Sequence, residues 1–151
     1  MFRNCYLNNF NILRIMKNND FLLNLRETIP FQESKVKSPI ELFQHKTLRP
    51  ILKFVNETLN KITLSYINNI NPEFIIQNSI FQEKSILNTL KKEQVLKNKL
   101  NGIVIGLFTT EELDFYLENS LQIDERIHQM IQERIRTQFK SFLPNNNILS
   151  D

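Results

Sequence analysis

The chain has 151 residues, 19 Lys and Arg against 16 Asp and Glu, 41% hydrophobic and 23% charged residues, the make-up of one ordinary globular domain. A net charge of +3 is too mild to mark a nucleic-acid partner unless it gathers on one face. Cys5 is the only cysteine, which excludes an intrachain disulfide and a cysteine-based zinc site and points to a reducing, cytoplasmic setting.

Alanine and tryptophan are absent, while Asn, Ile, Lys and Phe abound; this composition reads as a bias towards A/T-rich codons. Asn4, Asn8, Asn9 and Asn11 interrupt any apolar core of a secretory signal. No window approaches the ~20 apolar residues of a membrane span. Residues 1–15 are Asn-rich and poorly periodic, and Met16 is expected as the true start. Residues 1–37 are read as an extension and linker, with a short helix over 20–27 and a polar stretch bracketed by Pro30 and Pro39.

The helical domain is expected over residues 38–143. Ser38-Pro39-Ile40-Glu41 is a capping box with proline at the first helical position: the serine oxygen accepts a backbone N–H and the glutamate reaches back. A short helix should run to about His45. Thr47 then looks like the cap of a longer helix that tolerates Pro50 in its first turn. Leu48, Leu52, Val55, Leu59, Ile62 and Tyr66 form a heptad-type seam, widened by Ile51, Phe54 and Ile67 as in a bundle helix. Asn71-Pro72-Glu73 reads as another helix start. Ile76, Ile80, Ile86, Leu87 and Leu90 follow at roughly helical spacing, with a break expected at Ser79.

Residues 94–107 form the next expected helix and carry both glycines of the chain, Gly102 and Gly106. Their spacing puts them on one face, where another backbone could cross closely. Each costs ~1 kcal/mol of helix propensity relative to alanine, so a close crossing would have to compensate. A phosphate-cradling loop would need a preceding strand and a different glycine spacing. Thr109-Thr110-Glu111-Glu112 is a second capping box, with Phe108 and Leu113 placed as a hydrophobic staple. The last helix is expected over 121–143, with a ridge of Ile123, Ile127, Met130, Ile131, Ile135, Phe139 and Phe142; Pro144 ends it and residues 144–151 form a tail. With no alternating apolar pattern and no hairpin turn, the fold is all-α: a compact bundle of about five to six helices.

Chemistry-bearing residues are few. Glu125 and His128 make an E-x-x-H pair, as in di-iron bundles, but a second such motif is missing. Glu41 and His45 are also one turn apart. No nucleophile elbow is present, and Glu111/Glu112 and Asp124/Glu125 suit the positive ends of helices. Lys91, Lys92, Lys97 and Lys99 form the densest basic cluster, diluted by Glu93. Arg49 beside Pro50, at an expected helix start, is electrostatically ill-placed and implies an anionic partner.

The stretches SPIELFQHKTLRPILKFVNE, NGIVIGLFTTEELDFYLEN and RIHQMIQERIRTQ resemble a family of small helical proteins seen mainly in Bacteroidetes. The most recognisable pieces are Leu48-Arg49-Pro50-Ile51-Leu52-Lys53 and the run from Gly102 into Phe108-Thr109. Some members carry the name glyoxalase. A vicinal-oxygen-chelate glyoxalase is built of paired βαβββ modules with His and Glu ligands on strands, whereas this chain reads helical and has both histidines on expected helices. Metal, glutathione and lyase activity are therefore carried over to no position, and no cofactor is implied.

Three readings follow. The first is a non-enzymatic interaction or assembly module with a protein partner or a second copy of itself, touching through Arg49, Lys53, Gly102 and Gly106. The second is a small enzyme using Glu125 and His128 or Glu41 and His45. The third is a nucleic-acid-associated protein in which the lysine cluster shares a face with Arg126 and Arg136. No membrane partner is expected.

Overall fold

Residues 18–142 are described in a computed structural model, and every regular element among them is helical, so the fold is all-α. The expectations for Met16, Cys5, Leu143, Pro144 and the tail lie outside the described residues. In chain order the helices are α1 (residues 18–24), α2 (Pro39–Phe43), α3 (Arg49–Phe54), α4 (Asn56–Ile70), α5 (Ser79–Lys92), α6 (Gln94–Ile105), α7 (Thr110–Glu118) and α8 (Ser120–Phe142). No helix among the described residues is long and apolar enough to cross a membrane. The described chain divides into two compact units, residues 18–54 with 103–123 and residues 55–102 with 124–142.

In the first unit, Ser38 caps α2 with extended backbone, and its hydroxyl accepts the Glu41 N–H at 3.2 Å. The Glu41 carboxylate passes over Ser38 and takes the Lys37 N–H at 2.8 Å. Thr47 does not start a new helix. A π-helical stretch, Gln44–Leu48, joins α2 to α3, and the Arg49 N–H bonds the Gln44 carbonyl five residues back. Pro50 supplies the physical reason. Its ring has no N–H and would press on the carbonyl four residues earlier, and a widened turn just ahead relieves that clash. The expected linker is a packed segment: the Phe31 ring stacks on His45 with centroids 4.8 Å apart, Glu33 pairs with Lys46, and Glu27 pairs with Lys53 at 2.6 Å. At α7 the second capping box is complete, Thr109 and Glu112 each accepting the other's backbone N–H. Phe43 meets Phe108 edge-on and Phe115 at a tilt, with centroids 5.4 and 5.0 Å apart, each contact worth ~0.5–1.5 kcal/mol beyond its buried area.

In the second unit, Val55 leaves helical geometry and α4 starts afresh at Asn56. The heptad seam therefore ends at Leu59. Beyond it the buried face of α4 is Asn60, Thr63 and Ile67, while Ile62 and Tyr66 are half-buried and Phe54 is exposed. The Thr63 hydroxyl donates to the Leu59 carbonyl at 2.8 Å, so its burial leaves no donor unmatched. On α8, Ile127, Ile131, Ile135 and Phe139 are buried as the ridge requires, and Met130 is half-buried; the side chain of Phe142 is outside the described ones. On α6, Leu96 and Leu100 are buried and Gly102 is exposed.

Candidate functional site

Arg49 and Lys53 both find partners within the first unit. Arg49 sits inside a continuing helical run, and its Nη1 lies 3.1 Å from His45 Nδ1. A guanidinium only donates, so Nδ1 is the acceptor in this contact. The ill-placed charge expected at Arg49 is thus answered by an imidazole. Lys53 pairs with Glu27.

Among the described residues no other backbone crosses closely at Gly102. A Cβ built on Gly102 would meet nothing within 4 Å among the described residues. Gly106 is exposed and lies just past the end of α6, in the turn that leads to the Thr109 cap. Gly102 is therefore an open position among the described residues, and Gly106 is an exposed turn residue that follows the last residue of α6.

The four lysines divide among three surroundings. Lys91 and Lys92 occupy the last turn of α5, where cations offset the negative end of the helix. Lys97 lies beside His128. Lys99 borders a shallow hollow of about 350 Å³ with Lys61, Ser65 and Tyr66. Arg136 is held by Glu133 at 2.8 Å and Arg126 bonds Gln129 at 3.2 Å.

The members of both Glu/His pairs are engaged by other partners. Glu125 is exposed and accepts the Gln129 amide at 3.3 Å, whereas His128 is half-buried with Nε2 2.6 Å from Gln132 Nε2. Burial and the nearby Lys97 ammonium push the His128 imidazole below its usual range, against the pull of the Leu90 carbonyl. Glu41 is occupied by the Lys37 N–H and His45 by Phe31 and Arg49. Among the described residues no three His, Cys, Asp or Glu side chains gather as a metal site.

The most interlocked polar group was not legible as a group. Arg26 grips Glu112 in a two-pronged pair, Nη1 to Oε1 at 2.6 Å and Nη2 to Oε2 at 2.8 Å, and Nη2 also donates to the Leu107 carbonyl. Thr47 donates its hydroxyl to the same carboxylate at 2.8 Å, and the Thr109 N–H does so at 2.8 Å. The two charged side chains are only 6% and 15% exposed. Burial pushes the Glu112 carboxyl up, but the bonds from Arg26, Thr109 and Thr47 outweigh it and leave the group below its ordinary value. A carboxylate with every oxygen occupied is a poor proton acceptor, so this clasp is a fastening. It also borders a cleft of about 330 Å³ with Phe31, His45, Lys46 and Pro50, in which Arg26 and Lys46 are already matched by acids.

A different arrangement marks the turn between α4 and α5. Pro72–Ile76 forms a 3-10 helix, Asn78 caps α5 by accepting the Phe81 N–H at 3.1 Å, and Phe74 is buried. Gln82 is 4% exposed, and its amide donates to the Phe74 and Ile75 carbonyls at 3.0 and 3.2 Å. On the outer side, Ile75, Ile76, Ile80 and Phe81 are 41%, 81%, 75% and 60% exposed. Ile76 and Ile80, two members of the helically spaced apolar series, are therefore surface residues, and the usual polarity is inverted: the amide faces inward and the large apolar side chains face out. The cause is local. The backbone carbonyls of a short 3-10 turn need a donor, and a glutamine one turn into α5 reaches them, which fixes the helix phase and turns Ile80 and Phe81 outward. No family model, curated protein or solved structure matches this chain.

Proposed function

We propose that this chain is a non-enzymatic interaction and assembly module whose contact surface is the apolar corner at residues 75–81. The observation that carries the reading is the inverted polarity of that corner. Fully burying a side chain of this size is worth about 1.5–3 kcal/mol. The exposed fractions there amount to roughly two and a half such side chains, or roughly 4–7 kcal/mol of burial left for a partner. That is a large share of the ~5–15 kcal/mol that holds a domain together, and surface of this kind is typical of sites that bind another protein. Its backbone is already held by the Asn78 cap and the Gln82 bonds, so docking would order little that is not ordered already. The single cysteine, Cys5, is the ground for assigning the module to the cytoplasm.

The test is a photo-reactive side chain placed at position 80, compared in living cells with the same group at exposed position 136. Protein adducts formed from position 80 and absent from position 136 are expected. A chain that forms no adduct from position 80, while folded and expressed at its normal level, would refute the interaction reading.

A further inference from the structure

Apart from that contact surface, we propose that the cleft between residues 23–31 and the π-helical stretch of the first unit is a binding site for one free amino acid with an apolar side chain. Its volume of about 330 Å³ stands at the small end of ligand pockets, which run from about 300 to 1,000 Å³. That is room for a single amino acid and not for a peptide or a dinucleotide. The chain builds the cleft with a departure from regular helix, a recurrent mark of functional positions. His45 and Pro50 both line it, although residues five apart face well away from each other on an unbroken α-helix. The wider turn at Gln44–Leu48 lets them share it.

The lining carries each chemical group that such a ligand needs. Leu23, Ile29 and Pro50 give an apolar wall, Lys46 a cation and Glu27 a carboxylate. The wider turn adds an acceptor. An α-helix would hand the Arg49 N–H to the His45 carbonyl, but here it goes to Gln44, and Pro50, five residues on, has no N–H. The His45 carbonyl is thus left without a donor from either residue. Helical carbonyls point along the chain, so it lies between two lining residues. Lys46 and Glu27 are paired with Glu33 and Lys53, but all four side chains are at least 50% exposed, and ion pairs this exposed are worth little and exchange readily. The ligand carboxylate takes Lys46 from Glu33, and its ammonium meets Glu27 and the His45 carbonyl. A plain carboxylic acid or a plain amine would answer one lining charge and face the other unpaired. His45 is held by the Phe31 ring and the Arg49 guanidinium, and the segment that carries Leu23 and Glu27 is anchored by the Arg26 clasp, so binding orders little that is not ordered already.

Amide chemical-shift titration of the full chain tests this with leucine, methionine and phenylalanine as probes. At least one is expected to bind with a Kd below about 1 mM. For the tightest of them, the analogue without the ammonium and the analogue without the carboxylate should each bind about tenfold more weakly. Glu27→Gln and Lys46→Met change exposed side chains and should leave the melting temperature within about 2 °C of wild type, yet each should weaken the amino acid about tenfold. Glu27→Gln should not weaken the ammonium-free analogue, and Lys46→Met should not weaken the carboxylate-free one; a merely structural role would move both. A folded wild type that binds none of the three probes at about 10 mM overturns the proposal. So does an ammonium-free analogue that binds as tightly as the amino acid itself, or a pair of variants that bind it like wild type.

Discussion

Replacing Arg26 by methionine removes the partner of a buried carboxylate while keeping most of the side chain's bulk. Glu112 would retain the Thr47 hydroxyl and the Thr109 N–H, and the Leu107 carbonyl would lose its side-chain donor. Breaking a buried pair from one side costs about 3–5 kcal/mol, because the remaining charge stays desolvated. For a chain of this length each kcal/mol lowers the melting temperature by about 2–4 °C, so a loss of about 6–20 °C is expected by circular dichroism at neutral pH. The pH dependence sharpens the test. In the wild type the Glu112 carboxyl sits below its ordinary value of 4.5, so the clasp contributes fully above that pH. Its contribution fades as the pH falls through the native value, because the unfolded chain binds the proton first. In Arg26→Met the carboxyl loses the lowering influence of the guanidinium and moves up relative to wild type, so acidification favours the variant relative to wild type and the gap between them narrows. Arg26→Met/Glu112→Gln should recover much of the loss, since the single amide oxygen of glutamine still accepts the Thr109 N–H, its NH2 can donate to the Thr47 hydroxyl oxygen, and no charge is left buried. A loss under about 1 kcal/mol, or a gap unchanged on acidification, would refute the reasoning.

Two further outcomes are expected. Gly102→Ala should stabilise the fold by about 0.5–1 kcal/mol in denaturant unfolding, because a methyl group there meets open space and the unfolded chain loses freedom; destabilisation would show that some surface does approach that position. Stability should also fall as the pH drops below the ordinary histidine value of 6.5, since His128 is held below it and the unfolded chain gains the proton first. His128→Gln should flatten that slope, and Lys97→Met should reduce it; a slope identical in all three proteins would locate the effect elsewhere.

What could be read from the chain was what a single segment decides for itself. Ser38 and Thr109 form caps because the oxygen and the N–H it accepts lie three residues apart, and no other part of the chain is needed. The ridge of α8 repeats every four residues, so its period alone identifies the buried face. The remainder depended on distant groups. Thr47 has the composition of a cap, but Pro50 widens the preceding turn and Glu112 claims its hydroxyl. Ile76 and Ile80 have the composition of a core, yet the need of two carbonyls for the Gln82 amide sets the phase of α5. Arg26 and Glu112 are separated by 86 residues, and nothing in the neighbourhood of either names the other.

The π-helical stretch makes chain length itself a specified quantity at residues 44–48. In a uniform α-helix Phe43 and Leu48 would project about 140° apart, yet both are buried in the same unit. Bonding across five residues brings positions five apart into line, so the aromatic group around Phe43 and the aliphatic row from Leu48 onward can serve one core. Deleting any single residue there would restore the four-residue bonding register and bring back the clash of the Pro50 ring with the carbonyl four residues earlier. It would also swing one of those two groups out of the core. Substitutions at the exposed positions of this stretch should be tolerated, whereas a change of one residue in its length should not.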